Sequence, residues 1–392
     1  MKKYTLFAAF LVYAVISKAQ WMPQTVEHCD RLNHVIFVND KTGFTDGPGR
    51  VLKTTDGGFS WQEVYSEANV SIVDISFLSE QVGFIAAERE GKPFIARTNN
   101  GGKDWTIKDL SIDAGKMIFL SADEGLMASE HGMVFHTENS GKQWMHAGVH
   151  DNVSTGDFCF INNKIGYFAG WYNGSIIKTV DGGMTWQSLH VTGDFLDIYF
   201  PSKTTGYTAG LFGSITKTED EGVTWKTLNT GLPKEINLYS IYCTDNNTCY
   251  AVGDNGTMIK TIDGGEHWAI QETNTSQKLN AITCNDHDCY VVGDGGIVLK
   301  ASNIVPEKIA ELTSQLQLYP NPSAGEVTIR YNTSLGSNAY VLIYDVQGRL
   351  IENIPFTKEQ LVLNGKSIGV GVYSCSLYVD DQLKETQKLV VY

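Results

Sequence analysis

The side chains able to do chemistry in this chain are mostly carboxylates. Asp74, Asp157 and Asp197 each head a short apolar run, and Asp46, Glu88, Glu90, Glu130, Asp254 and Asp294 fall where the next two apolar runs meet. A pair of carboxyl groups roughly 5–10 Å apart, one acting as acid and one as base or nucleophile, hydrolyses a glycosidic bond. Spacing singles out no pair among them, and on an acidic chain most carboxylates serve solvation and turn stability. No catalytic dyad is assigned. The same turns carry Trp171-Tyr172-Asn173 and Leu211-Phe212, aromatics suited to stacking on a sugar ring or anchoring a protein partner. The candidate ligand-binding set is Trp171, Tyr172, Phe212, Glu88, Glu130, Asp157, Asp197, Asp254 and Asp294. The 9 histidines show no metal-ligand spacing. There is no P-loop, dinucleotide-type glycine pattern, His-Glu-x-x-His or nucleophile elbow. Neither a metal nor a cofactor is expected.

What must position these residues is a repeat. Six segments read Thr, any residue, Asp or Asn, any residue, Gly, two further residues, Trp; they span residues 54–61, 98–105, 137–144, 179–186, 218–225 and 261–268. Their tryptophans are 44, 39, 42, 39 and 43 residues apart, the length of one four-stranded propeller blade. The stretches between them are β-rich and alternate in polarity. Innermost strands are expected at 34–37, 73–77, 116–119, 157–160, 197–200, 240–243 and 281–284, seven sets against six complete boxes. The seventh set ends at Ala301-Ser302 without a tryptophan. Trp21-Met22-Pro23-Gln24-Thr25 matches the stretch at the end of each box, such as Trp186-Gln187-Ser188-Leu189. This N-terminal segment is expected to become the outer strand of the last blade, leaving no open sheet edge. The expected fold is all-β: a seven-bladed β-propeller over residues 20–302.

Within each box the side chain of Asp56, Asn100, Asn139, Asp181, Asp220 or Asp263 is expected to accept backbone N–H groups of its own turn. Gly58 and its equivalents supply positive φ. Trp61, Trp105, Trp144, Trp186, Trp225 and Trp268 are expected to lie flat between neighbouring hairpins. Residues that recur in every blade serve the folding of each blade rather than catalysis. A basic residue precedes each box threonine (Lys53, Arg97, His136, Lys178, Lys217, Lys260, with Lys300 in the last repeat), and its expected use is ion pairing between blades. Cys243 and Cys284 stand where other repeats close the innermost strand with Phe, and Cys249 and Cys289 where others open the second strand with Gly. Disulfides Cys243–Cys249 and Cys284–Cys289 are expected, in keeping with an oxidising compartment; the spacings are not those of a zinc site. Cys29, Cys159 and Cys375 cannot be paired from sequence. Cys159, on an innermost strand, is expected to be a buried thiol.

Lys2-Lys3, the nearly apolar residues 4–16 and Ser17-Lys18-Ala19 read as a secretory signal peptide over residues 1–19, too short to span a bilayer. No transmembrane segment is expected elsewhere. The chain has 30 Lys+Arg and 44 Asp+Glu; without Lys2, Lys3 and Lys18 the balance is 27 against 44, or −17. So acidic a chain is a poor partner for nucleic acid or anionic lipid.

Residues 303–315 are a polar linker, and residues 316–392 alternate as a small Ig-like β-sandwich. Tyr319-Pro320-Asn321-Pro322, Asp345-x-x-Gly348-Arg349, Gly371-x-Tyr373 and the terminal Lys388-Leu389-Val390-Val391 resemble, along the whole module, the type A C-terminal sorting domain of the type IX secretion system. That resemblance implies passage through the periplasm, export by the type IX machinery, and a place at the cell surface or in the medium. The run Gly-x-Ile-x-Lys-Thr-x-Asp-Gly-Gly-x-Thr-Trp at residues 174–186 resembles the Asp-box (BNR) propellers related to the photosystem II assembly and stability factor family. Asp boxes also occur in sialidases and xyloglucan-cleaving enzymes, so the resemblance implies fold more than function. Sialidases hold a substrate carboxylate with three arginines from different blades. Here Arg31, Arg50, Arg89 and Arg97 lie in the first two repeats and no arginine occurs from 98 to 329, so no such triad can assemble. The same shortage departs from the basic patch through which the photosystem-factor relatives bind.

The expectation is a monomeric, non-catalytic exported propeller that binds a protein or glycan through the face opposite the boxes. The runner-up is a secreted polysaccharide-degrading glycoside hydrolase of the Asp-box type. Raised carboxyl pKa values across the channel would favour the hydrolase, and an aromatic-lined face poor in carboxylates would favour the binder.

Overall fold

The computed structural model describes residues 21–26, 29–129, 132–149, 156–170 and 174–302, and in the C-terminal part 316–319, 323, 325–331, 339–345, 349–355, 360–379 and 382–391. The expected signal peptide and linker lie outside these residues. The chain divides into two compact units between Pro306 and Glu307. Among the described residues no helix is long and apolar enough to cross a membrane.

Seven four-stranded antiparallel sheets succeed one another through the first unit. Their first strands are Val35–Phe37, Val70–Phe77, Lys116–Phe119, Gly156–Phe160, Phe195–Tyr199, Leu238–Cys243 and Leu279–Cys284, and the sheets are numbered one to seven in that order. First strands of sheets two to seven touch in succession, that of sheet seven touches that of sheet one, and sheet one packs its second strand on the first strand of sheet two. The sheets therefore close a ring. Sheet seven takes its fourth strand from the N-terminus, Met22–Thr25, with Met22 opposite Lys300 and Gln24 opposite Val298. Pro23 lacks an N–H and is tolerated on such an edge strand. Trp21 is 1% exposed and stands edge-on to Tyr250 of sheet six, 6.0 Å between centroids.

Neighbouring sheets are held together by one recurring cross-strand pair. The phenylalanine closing a first strand faces a glycine opening the second: Phe37 and Gly43, Phe77 and Gly83, Phe119 and Gly125, Phe160 and Gly166. A Cβ on any of these glycines would collide with the ring that lies across it. The outer face of the ring is then free to stack on the second-strand aromatic of the preceding sheet. Phe77 meets Phe44 at 3.5 Å, Phe119 meets Phe84 at 3.4 Å, Phe200 meets Tyr167 at 3.9 Å and Phe37 meets Tyr290 at 3.7 Å. In sheets six and seven the same opposed positions carry the disulfides Cys243–Cys249 and Cys284–Cys289. Cystine and ring-over-glycine are two fillings of one slot.

The boxes turn as their residue types dictate. The Asp or Asn Oδ1 accepts the N–H four residues on at 2.8–3.0 Å in all six. The box threonine hydroxyl accepts the N–H of a glycine whose φ lies between 78° and 90°. Two expectations need correction. The box tryptophans are not flat: in five sheets they stand edge-on, at 77–89°, to the phenylalanine of their own first strand. The face of that ring is already occupied, so only an edge approach remains. The basic residues ahead of the boxes are not chiefly ion-paired between blades. Lys53, Arg97, Lys178, Lys217, Lys260 and Lys300 each lie 5.0–5.7 Å from the ring opposite them on the second strand. Lys178 and Lys300 also donate to box carbonyls of the next sheet, at Glu221 and Gly57. Lys178 does pair with the Glu221 carboxylate of sheet five at 3.7 Å, whereas Lys217 and Lys300 pair within their own sheets.

The second unit holds a three-stranded sheet, Leu316–Tyr319, Glu326–Tyr331 and Gln360–Asn364, and a four-stranded sheet ordered Leu350–Pro355, Ala339–Asp345, Gly371–Val379 and Gln382–Val391. Leu316, Val327, Ile329, Val341, Leu377 and Leu389 form its core, and Cys375 is buried there as a free thiol. The Asp345 carboxylate accepts both the main-chain N–H and Nε of Arg349, at 2.9 and 3.0 Å, which fixes that turn.

Closure of the ring by Trp21 and its strand can be measured. Deleting residues 20–27 is expected to lower the melting temperature of the ring by more than ten degrees. Trp21→Ala should cost about 3–5 kcal/mol in urea unfolding, the range for a large buried aromatic. An unchanged melting curve for the deletion would show that closure is not needed.

Candidate functional site

The first strand of each sheet lies at the centre of the ring, and its inner edge has no further strand to pair with. Unpaired N–H groups there must find side chains or water. Counting back three residues from the closing Phe or Cys gives His34, Asp74, Lys116, Asp157, Asp197, Ser240 and Ala281 in sheets one to seven. Several of these stitch each strand to the next. Asp74 Oδ2 accepts the Met117 N–H of sheet three at 2.7 Å, Asp197 Oδ2 accepts the Ile241 N–H of sheet six at 2.8 Å, and Ser240 Oγ accepts the Ile282 N–H of sheet seven at 3.2 Å. The Oδ1 atoms of Asp74, Asp157 and Asp197 take the N–H of the following residue at 2.7–2.9 Å.

Two bases complete the layer. Lys116 Nζ is 3.0 Å from His34 Nε2, 3.4 Å from Asp157 Oδ2 and 3.9 Å from Asp74 Oδ1. His34 Nδ1 is 2.8 Å from Asp46 Oδ1. Burial pushes the Asp197 carboxyl up to about 6, helped by the negative charge of Asp157. Burial also raises Asp74, against the pull of Lys116 and His34. For Lys116 burial works against the charge, but Asp157, Asp74 and Asp197 outweigh it and hold the ammonium above its ordinary range.

This layer is the floor of a cup of about 560 Å³ that opens at the centre of the ring, within the size range of small-ligand sites. Arg31, Asn33, Ser71, Tyr239, Lys278 and Asn280 line it further out. The wall is braced by polar contacts. Lys278 Nζ sits 3.6 Å over the Tyr239 ring, whose hydroxyl donates to Asp254 Oδ1 at 3.0 Å. Asn280 Nδ2 donates to Asp294 Oδ1 at 3.0 Å, and Arg31 Nε lies 3.6 Å from the same oxygen.

Of the candidate residues, Asp157 and Asp197 lie in the floor, while Asp254 and Asp294 brace the wall behind it. Glu88 is half-buried in the strand Gly83–Arg89 and does not line the cup. Phe212 is 60% exposed on a turn, with a left-handed φ of 60° that a bulky residue rarely adopts. It also stands outside the lining. Trp171, Tyr172 and Glu130 lie outside the described residues. Asp46, expected in a loop, is instead fully buried within the strand Gly43–Gly47, where His34 holds it. Cys159 is only partly buried as a residue, but burial of its thiol pushes it up to about 12, and its Sγ accepts the Phe200 N–H at 3.3 Å. Sequence reasoning passed over His34, Lys116, Arg31, Tyr239, Lys278 and Asn280. A signal for the first two was present: one repeat position reads His, Asp, Lys, Asp, Asp, Ser, Ala around the ring, polar in all but the last sheet.

Residues 317–392 match the family model of the secretion system C-terminal sorting domain. Residues 60–154 and 228–316 match that of the photosynthesis system II assembly factor YCF48. The photosystem II assembly lipoprotein Ycf48 of Synechococcus sp. (strain CC9902) is 25% identical over 135 residues, 33% of this chain. The match spans 39% of the length of that curated relative. Among solved structures, YCF48 bound to D1 peptide superposes with a TM-score of 0.61 at 16% identity, over 72% of this chain and 95% of the other. YCF48 from Cyanidioschyzon merolae gives 0.59 at 18%, over 72% and 98%. The WD40 β-propeller domain of Doa1 gives 0.56 at 12%, over 73% and 96%. At these identities the likeness is one of fold, and it makes the ring of sheets a β-propeller.

The floor makes stability depend on pH in a definite direction. Asp197 keeps its proton to about 6 when folded, against 3.8 ordinarily. The folded chain thus binds more protons than the unfolded one between these values, and the contribution of Asp197 to stability falls as pH rises from about 4 to 6, then levels. Urea midpoints measured from pH 4 to 8 should show this fall, and Asp197→Asn should flatten it. An Asn variant with the wild-type slope would mean that another group titrates.

Proposed function

We propose that this chain, which joins a propeller related to the photosystem II assembly factor family to a secretion-system C-terminal sorting domain, is an exported, non-catalytic binding protein. Its seven sheets are the blades of a seven-bladed propeller over residues 20–302. Residues 316–392 are the Ig-like sandwich that the type IX machinery reads, residues 1–19 the signal peptide and 303–315 the linker. The product is a protein of the cell surface or the medium. Its ligand, a protein or a glycan, enters the central cup and meets the exposed Phe212.

One observation carries the non-catalytic reading: both oxygens of Asp74 and of Asp197 accept main-chain N–H groups of the ring itself. Carboxyl groups so engaged hold neighbouring strands in place, a structural duty that accounts for their position without a substrate. A peptide ligand is the first to test, since a fold relative is bound to a peptide. The hydrolase reading keeps one observation in its favour, the Asp197 carboxyl pushed up to about 6 beside Asp157, a pattern that catalytic acids share.

The test pairs two assays on the purified chain. Plant and animal polysaccharides are assayed for new reducing ends, and the same protein is passed over immobilised glycans and cell-envelope proteins. Retention without turnover is the expected result, with Phe212→Ala weakening retention about tenfold, as loss of an exposed aromatic anchor does. Turnover abolished by Asp157→Asn or Asp197→Asn would replace binding with hydrolysis.

A further inference from the structure

The contact between His34 and Lys116 sets a condition on protons. An ammonium has three donors and no acceptor. Since Lys116 Nζ lies 3.0 Å from His34 Nε2, that nitrogen must present its lone pair. The ring proton then sits on Nδ1 and is donated to Asp46 Oδ1, 2.8 Å away. The neutral Nδ1–H tautomer satisfies both contacts. Protonation at Nε2 makes it a second donor, and two positively charged donors 3.0 Å apart repel. Each has another acceptor within reach: Asp74 Oδ1 is 3.6 Å from Nε2, and Asp157 Oδ2 is 3.4 Å from Nζ. The arrangement is peculiar to sheets one and three, the two that place a base at this repeat position. His34 and Lys116 both line the cup, so a proton reaches them from solvent.

We propose that His34 and Lys116 form a proton-operated switch in the floor of the cup. Proton uptake at His34 Nε2 breaks the contact with Lys116, turns the ring donor to Asp74 and moves the lysine to Asp157. Acidification thereby redistributes charge in the cup and changes its affinity for ligand. That last consequence rests on the binding reading above; the exchange itself does not.

The groups that face His34 are Asp46 on the second strand of its own sheet, Asp74 in sheet two and Lys116 in sheet three. Asp157 in sheet four and Asp197 in sheet five act through Lys116. On the side of sheet seven the cup presents Asn280, with Lys278 and the Arg31–Asp294 pair further out. Burial and Lys116 push the His34 pKa down, but Asp46 and Asp74 outweigh them and leave it above 6.5. The charged ring therefore persists to higher pH than in a free imidazole, and the His34–Lys116 contact belongs to the deprotonated state above that midpoint.

The experiment labels the full chain with ¹⁵N-histidine and follows the imidazole nitrogens of His34 from pH 5 to 9, assigned by the loss of its signals in His34→Gln. The expected result is the Nδ1–H tautomer at high pH. Lys116→Met and Lys116→Gln should raise the His34 midpoint by about one pH unit, since an adjacent ammonium is lost. An Nε2–H tautomer at high pH overturns the proposal, as does a midpoint unmoved in a Lys116 variant with a native near-ultraviolet spectrum. Should neither variant fold, the wild-type tautomer decides. Retention on cell-envelope proteins at pH 6 and pH 8 tests the consequence. It should differ in the wild type and be equal in His34→Gln. Equal wild-type retention removes the regulatory role alone, and no retention at either pH removes the binding reading while the tautomer still decides the switch.

Discussion

A ring of sheets meets at its centre along strand edges that no further strand can pair. The N–H groups of those edges are close to one another, shielded by the ring, and each is expensive to leave unmet. Asp74, Asp197 and Ser240 meet them by reaching from one sheet to the main chain of the next. The chemistry of the cup is a consequence of this requirement. Short acidic side chains gather at the centre because they are good acceptors at that reach. Their crowding then needs a cation, which Lys116 supplies, while burial, with the remaining negative charge of Asp157, lifts the proton affinity of Asp197. Satisfying an edge is thus enough by itself to gather buried carboxylates at the centre of the ring.

Further out, the same ring is held by apolar contacts that obey a different rule. A glycine opposite the closing phenylalanine lets the ring lie across the strand, and its outer face then stacks on the preceding sheet. Sheets six and seven replace ring and glycine together by two cysteines, because either change alone fails. A cysteine facing glycine has no partner, and a phenylalanine facing cysteine meets a Cβ where its ring must lie. The basic residues at the next level complete this layer, lying over the second-strand rings and reaching on to carbonyls of the following box. The desolvated ring face and the box carbonyls give them partners that an exposed carboxylate cannot match in water.

The parts legible in sequence were those repeated six or seven times. The boxes, the two disulfides and the N-terminal strand of sheet seven could be read because each departure stood out against the other copies. Cys243 was informative only because Phe37, Phe77, Phe119, Phe160 and Phe200 occupy its place elsewhere. Features set by three-dimensional neighbours were not legible. The tilt of the box tryptophans depends on which ring face a neighbouring sheet has already taken. The partner of Lys300 depends on where Gly57, at the far end of the repeat array, returns its carbonyl. Asp46 reads as a loop carboxylate and is instead buried within a strand, against the His34 ring. Phe212, exposed on a turn with a left-handed φ, is legible in sequence as an aromatic but not as one held in a strained conformation.

The cup differs from the repeats around it in being asymmetric. Seven nearly equivalent sheets contribute a varied set of residues to the floor: base and carboxylate alternate through sheets one to four, and the pattern then breaks. The two bases stand in sheets one and three, the carboxylates beside and beyond them, and sheets six and seven offer only a hydroxyl and a methyl group. Edge satisfaction asks for acceptors at this position; it does not ask for a histidine in contact with a lysine. That contact confines the imidazole to one protonation state, and Lys116 already has Asp157 and Asp74 within 4 Å. A residue pair that edge satisfaction does not explain, lining an open cup, is where selection for something other than stability would leave its mark.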